Sequence, residues 1–298
     1  MYESGSVALT SREVALDARM FVRSNLGWVW EAMKPMLPYI IVLSLAGLAA
    51  EVYFPIDKHE LKNYSKSYLL IGGGASVFTS FTLSYFWACF AMSWHRIVLL
   101  GARRENLVSP LSLPPNTRGF FLAFYLIALL PFLLGMTGGI VFGIFSYFQV
   151  TALTAIGGLI GLSLIVLGVY KALQFSFLLP ARSVGVNLTR AGAKKVSKGL
   201  LWTFIVASIR ATWRQGILLV LVIILTILVT ALVQFILKTS EEQLGLIASA
   251  LLLVPGLYFQ AILVALNVTL LSFLYQWSVQ NRFKAKKKVS SEAENSPA

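Results

Sequence analysis

Long apolar runs alternate with short basic stretches along the whole chain. A membrane-spanning helix needs about 20 predominantly apolar residues, and six runs meet or approach that length. The first covers 35 to about 50, lengthened on one side by Trp28, Val29, Trp30 and Met33. The second covers about 68–94, the third about 120–145, and the fourth about 152–179 with Lys171 near its end. The fifth is 216–237. The last apolar stretch, 244–279, is too long for one ordinary span and too short for two. Pro255-Gly256 divides it, which predicts a short outer or re-entrant helix before Pro255 and a sixth span from about 256 to 279. The expected fold class is therefore all-α, a polytopic transmembrane helical bundle of six spans over 35–280.

The polar stretches between the runs give an orientation. Lys and Arg number four in 1–34, four in 95–118, seven in 180–215 and five in 281–298, making 20. The alternate stretches hold three in 51–67, none near 146–151 and one in 238–243, making 4, and Lys171 stands apart. Cytoplasmic loops carry the Lys/Arg excess, so 20 against 4 predicts both termini in the cytoplasm. An odd number of spans would put the basic tail outside. Trp28, Trp30, Trp94, Trp202, Trp213 and Trp277 fall near the expected membrane borders, where amphipathic rings prefer to sit; Trp87 lies inside the second run.

Two cytoplasmic segments read as amphipathic surface helices. In the arm at 1–34, Thr10-Ser11-Arg12-Glu13 has the form of a capping box, a hydroxyl at the N-cap and an acid three residues on. Behind it Val14, Ala18, Phe21, Val22, Val29 and Met33 recur at helical spacing. The second segment runs from about 194 to 213. Leu201, Phe204, Ile205, Ser208, Ile209 and Trp213 form its apolar side, with Lys194, Lys195, Lys198, Arg210 and Arg214 around it. Basic helices with an apolar face lie in the interface plane and favour anionic lipid. These five side chains are the candidate lipid contacts. The tail at 281–298 holds Lys284, Lys286, Lys287 and Lys288 followed by small polar residues; that composition cannot bury a core and predicts disorder.

Composition strengthens the membrane reading. Hydrophobic residues are 57% of the 298 and charged ones 12%, about half the usual charged share of a soluble domain, roughly 25%. The net charge of +13 would raise nucleic acid in a soluble chain, but here the topology rule accounts for it and no nucleic-acid partner is expected. Residues 1–34 mix Glu3, Arg12, Glu13, Asp17, Arg19 and Arg23 among apolar positions, unlike a secretory signal. Cys89 is the single cysteine, so no disulfide within the chain and no Cys/His metal cluster is expected.

Inside the spans the chain offers packing motifs more than chemistry. Gly135, Gly139 and Gly143 are four apart in the third run, and Gly157 and Gly161 four apart in the fourth. Small residues at this spacing let helix backbones approach in lipid, so the two glycine faces are expected to meet across a hairpin. Gly72-Gly73-Gly74 lacks the Lys and Ser/Thr of a phosphate loop. Gln149, Gln174, Gln234, Gln260 and Asn267 are the main polar side chains in or near the runs. Interhelical hydrogen bonding is the ordinary use of such residues; the alternative is a cavity lined by Gln174, Gln260 and Asn267, as a carrier of a neutral or lipid-like substrate would need. A proton-coupled carrier would want a buried acid or His, and none stands in the middle of a run. His59, beside Asp57 and Glu60, and His95 lack a partner motif, and Asn63-Tyr64-Ser65 matches a glycosylation sequon on the outer side.

Three places carry a resemblance. They are the amphipathic arm running into the first span; Trp94-His95-Arg96-Ile97-Val98-Leu99-Leu100-Gly101; and Leu179-Pro180-Ala181-Arg182-Ser183-Val184-Gly185 with Ser208-Ile209-Arg210-Ala211-Thr212-Trp213. Together they resemble six-span bacterial inner-membrane proteins related to the YciC group and the membrane domain attached to some glycerophosphodiester phosphodiesterases. Members often carry an acid directly after Leu-Leu-Gly, where this chain has Ala102-Arg103-Arg104-Glu105. The resemblance implies a fold and a bacterial inner membrane, with no catalytic residue and no cofactor to carry over. The expectation is a non-enzymatic structural or accessory protein. Its partners would be anionic lipid, another membrane protein or a second copy of itself.

Overall fold

The structure is a computed structural model that describes residues 9–53, 66–114, 117–148, 151–237 and 241–294. His59 and its acidic neighbours, the sequon, Gln149 and 295–298 lie outside the described residues. Helices α1 (Ser11–Ser24), α2 (Leu26–Met33), α3 (Leu37–Tyr53), α4 (Lys66–Leu100), α5 (Arg118–Tyr147), α6 (Thr151–Ser176), α7 (Leu178–Ser183), α8 (Arg190–Ser197), α9 (Leu201–Leu237) and α10 (Glu241–Glu294) make up nearly all of it.

The helix boundaries follow local chemistry. The capping box forms as the sequence predicts: Glu13 N donates to Thr10 Oγ1 at 3.3 Å, and Thr10 N donates back to Glu13 Oε2 at 3.3 Å, satisfying two otherwise orphaned donors. Asn25 closes α1, its Nδ2 donating to the Phe21 carbonyl at 2.8 Å. Val14, Ala15, Ala18 and Val22 are buried on one face. Between α2 and α3 the chain bends by 63° at Lys34-Pro35-Met36, where Pro35 has no N–H to continue the ladder. Gly199, with φ of +80°, turns the chain from α8 into α9, a backbone region that favours glycine.

Consecutive helices pair into three hairpins: α3 with α4, α5 with α6, and α9 with α10. The hairpins are tied together mainly at one end. There α1 packs on α9 and α10, α2 on α4 and α10, α7 on α4, α5 and α10, and α8 on α6 and α10. The buried apolar side chains concentrate in this base, among them Ala18, Met33, Phe90, Trp94, Phe120, Phe177, Leu178, Ala207 and Leu270. Away from the base the helices show apolar residues to the outside, such as Phe132, Leu159, Val166, Leu225 and Phe235. Only 6% of the most apolar window of α9 is buried. Apolar surface continuous on that scale is not sustained in water; a lipid environment removes the penalty.

Among the described residues, four helical stretches are long and apolar enough to cross a membrane: Arg118–Tyr147, Thr151–Ser183, Leu201–Phe235 and Leu251–Asn281. The bent pair α2–α3 makes a fifth if it is one broken span. Over the described residues the chain is thus nearly all helical, with long apolar helices compatible with an integral membrane protein.

Three expectations change. Pro255 lies inside α10, which runs unbroken from Glu241 to Glu294, so no separate short helix precedes it. A proline removes one backbone bond, and a helix in an apolar surrounding tolerates that because leaving the rest of the ladder would be costlier. The segment at 281–298 is helical through Glu294 rather than disordered along its length; Lys and Ala are good helix formers, and extending an existing helix avoids the cost of nucleation. The basic segment at about 194–213 is two helices. Lys194 and Lys195 sit on α8, Lys198 caps it, and Arg210 and Arg214 sit on α9, which continues straight into the fifth apolar run.

The α5–α6 hairpin closes through glycine, in a register of its own. A Cβ on Gly138 would lie 2.9 Å from the Gly161 Cα and carbonyl oxygen, and one on Gly168 2.9 Å from the Pro131 Cα. Gly157 faces Phe145 just as tightly, at 2.9 Å. Gly135 is near only the Ile165 side chain, at 3.7 Å, while Gly139 and Gly143 face open space. The seam therefore uses Gly157 and Gly161 on α6, but Gly138 on α5 in place of Gly139 and Gly143. Pro131 and Gly138 are seven residues apart, two helical turns, and that stripe is the one α6 meets.

Candidate functional site

The base gathers nearly all the polar chemistry of the described chain. Its centre is a seam between α4 and α10. Trp94 Nε1 donates to Thr269 Oγ1 at 2.8 Å, and Thr269 Oγ1 donates to the Ala265 carbonyl at 2.7 Å. His95 Nδ1 lies 2.8 Å from Ser272 Oγ, whose own proton goes to the Val268 carbonyl at 2.8 Å. A hydroxyl has one proton to give, so Ser272 accepts and His95 carries its hydrogen on Nδ1. His95 is fully buried and its Nε2 has no partner among the described residues. The seam reads as structural: each hydroxyl relays one bond to its own helix and receives one from α4. Among the described residues no further side chain hydrogen-bonds the His95 ring.

The arginines at the base brace the connectors. Arg182 Nη1 donates to the Gly119 carbonyl at 2.6 Å, and Arg96 Nη1 to the Ser183 carbonyl at 3.2 Å. Ser278 Oγ donates to the Val196 carbonyl at 3.1 Å, tying α10 to α8. Arg210 Nη1 donates to Ser11 Oγ at 3.1 Å, joining α9 to the start of α1. Arg214 sits 5.5 Å from the centre of the Trp213 ring, within cation–π reach.

Lys194, Lys195 and Lys198 are exposed and line one cavity of about 700 Å3 together with Tyr170, Gln174, Leu201 and Trp202. Its walls come from α6, α8 and the start of α9. Arg210 and Arg214 are exposed elsewhere in the base. Of the three cavity candidates, buried Gln174 belongs to this lysine cavity, Gln260 is exposed, and Asn267 Nδ2 donates to its own helix at the Leu263 carbonyl, 2.8 Å. No chamber lined by all three is found among the described residues.

Sequence reasoning missed a second cluster. Arg19 and Arg23 on α1 meet Arg214 and Gln215 on α9 across a trough of about 370 Å3, floored by Tyr258, Ile262 and Leu266 of α10. The available signal was Arg19 and Arg23 at i, i+4 beside Leu16 and Met20. Among the described residues no group of three His, Cys, Asp or Glu side chains is placed to hold a metal ion, and Cys89 is buried.

No protein-family model matches the chain, and neither does any curated protein or solved structure.

Proposed function

We propose that the chain is a non-enzymatic accessory protein of a bacterial inner membrane that holds anionic lipid against its basic cytoplasmic base. In this reading it crosses six times with both termini inside. The bent α2–α3 pair and the 35-residue α4 supply the first two crossings, and the 20-to-4 division of Lys and Arg sets the orientation. The likeness to the YciC group accords with this layout.

One observation carries the lipid reading. Lys194, Lys195 and Lys198 share a cavity with Tyr170 and Trp202, at the end of the apolar α6. Ammonium groups beside amphipathic rings match a membrane interface, where each cation near an anionic surface contributes about 1 kcal/mol. The test is reconstitution of the full chain in nanodiscs of mixed phosphatidylglycerol and phosphatidylcholine. Replacing the three lysines by glutamine should lower the enrichment of phosphatidylglycerol around the protein severalfold. Unchanged enrichment would remove the reading.

The topology has its own check. Single cysteines replacing Arg12, Val186 and Ser291 should react with a membrane-impermeant thiol reagent only from the cytoplasmic side, and one replacing Phe148 only from the outer side. Buried Cys89 gives little background. Labelling of Arg12→Cys and Ser291→Cys from opposite sides would rule out an even number of spans.

A further inference from the structure

The arginine trough adjoins an apolar cleft. Leu26, Tyr258 and Ile262 line both, so the two lie side by side. The cleft lies between α2–α3 and α10 and measures about 480 Å3, within the roughly 300–1,000 Å3 of small-molecule sites. Every side chain lining it is apolar or aromatic, Trp30, Met33, Ile41 and Leu257 among them. At the other end, Arg19, Arg23 and Arg214 line the trough and no acidic side chain does. Two polar atoms of that trough, Arg19 Nε and Gln215 Oε1, are buried without a hydrogen-bond partner among the described residues. Buried polar groups are ordinarily satisfied, so these two leave the wall of the trough with unused hydrogen-bonding capacity.

We propose that trough and cleft together bind one anionic phospholipid of the cytoplasmic leaflet, its phosphate among Arg19, Arg23 and Arg214 and an acyl chain along the cleft toward Pro255. The level is right for such a lipid. Arg214 and Gln215 directly precede the fifth apolar run, and the cleft follows the bent α2–α3 pair, the first crossing in the six-span layout. A free anion has no use for the apolar half, and an uncharged chain has none for the arginines. The site is separate from the lysine cavity, which lies among α6, α8 and α9. It rests on the membrane reading above but not on lipid binding by the lysines.

The experiment is native mass spectrometry of the full chain, purified in mild detergent and exposed to phosphatidylglycerol or to phosphatidylcholine of the same acyl chains. Wild type should retain one phosphatidylglycerol about a hundredfold more strongly than phosphatidylcholine, at about a factor of five per arginine. The preference should vanish in R19Q/R23Q/R214Q and persist in K194Q/K195Q/K198Q. Leu257→Trp, which fills the cleft and spares every charge, should also lose the retained lipid. This variant decides the matter if the arginine variant fails to fold. Inorganic phosphate in excess should not displace the lipid. Four results overturn the proposal: no retained lipid, equal retention of both lipids, retention unchanged in the arginine and Leu257→Trp variants, or displacement by phosphate alone. Loss in the lysine variant alone would overturn it too, while leaving the function proposed above standing.

Discussion

Trp94→Ala is expected to lower the stability of the protein by about 3–5 kcal/mol, the range for deleting a large buried aromatic. Trp94 is fully buried and joins three helices. It belongs to α4, its ring meets Phe21 of α1 edge-on with centroids 6.1 Å apart, and its indole N–H bonds Thr269 of α10. Thermal unfolding in detergent, followed by circular dichroism, measures the effect. The hydrogen bond can be separated from the volume. Thr269→Val keeps the shape and leaves the indole N–H buried without an acceptor, at about 1–3 kcal/mol. Trp94→Phe on that background removes the orphaned donor, so the double variant should lose less than the two single losses added together. Strict additivity would show that the bond contributes nothing.

The sequence announced the helices that lipid alone would define. The runs at 120–145, 152–179 and 216–237 are predominantly apolar, with Lys171 their one charge; α5 contains the first, α6 and the start of α7 share the second, and α9 ends with the third at Leu237 but begins well before it, at Leu201. The α1 cap was legible because its partners are three residues apart. What the sequence concealed lies between helices. Thr269 and Ser272 are single hydroxyls in an apolar run, and their partners Trp94 and His95 are about 175 residues away. Gln260 and Asn267 share a face by spacing, which favoured bonds to a neighbouring helix and left a cavity as the alternative; Asn267 instead bonds its own helix, a choice that spacing cannot reveal. The proline rule misled at Pro255 because it was learned in water, where a broken ladder can turn to solvent. The arginine trough was hidden for the reason the seam was: Arg19 and Arg214 meet only once α1 lies across α9.

The glycines give the sharpest contrast, because one residue of register decides the sign. Gly138→Leu should destabilise the α5–α6 hairpin by about 1–3 kcal/mol, as overpacking does, since its Cβ would press on the Gly161 backbone at 2.9 Å. A helix backbone cannot swing aside as a side-chain tip can, so the helices must part along the seam. Gly139→Leu, next along the chain, points its new side chain into open space. In lipid that side chain loses nothing by exposure, and leucine is a better helix former than glycine by about 0.8 kcal/mol. Gly139→Leu and Gly143→Leu should therefore leave stability unchanged or raise it slightly. Unfolding of the three variants in mixed micelles reads the difference directly. If Gly139→Leu fell and Gly138→Leu held, α6 would have to meet the Gly135, Gly139 and Gly143 stripe that the four-residue spacing favoured. The observed outer faces of α5 and α6 would then have to turn inward, against the apolar exposure that marks them as lipid-facing.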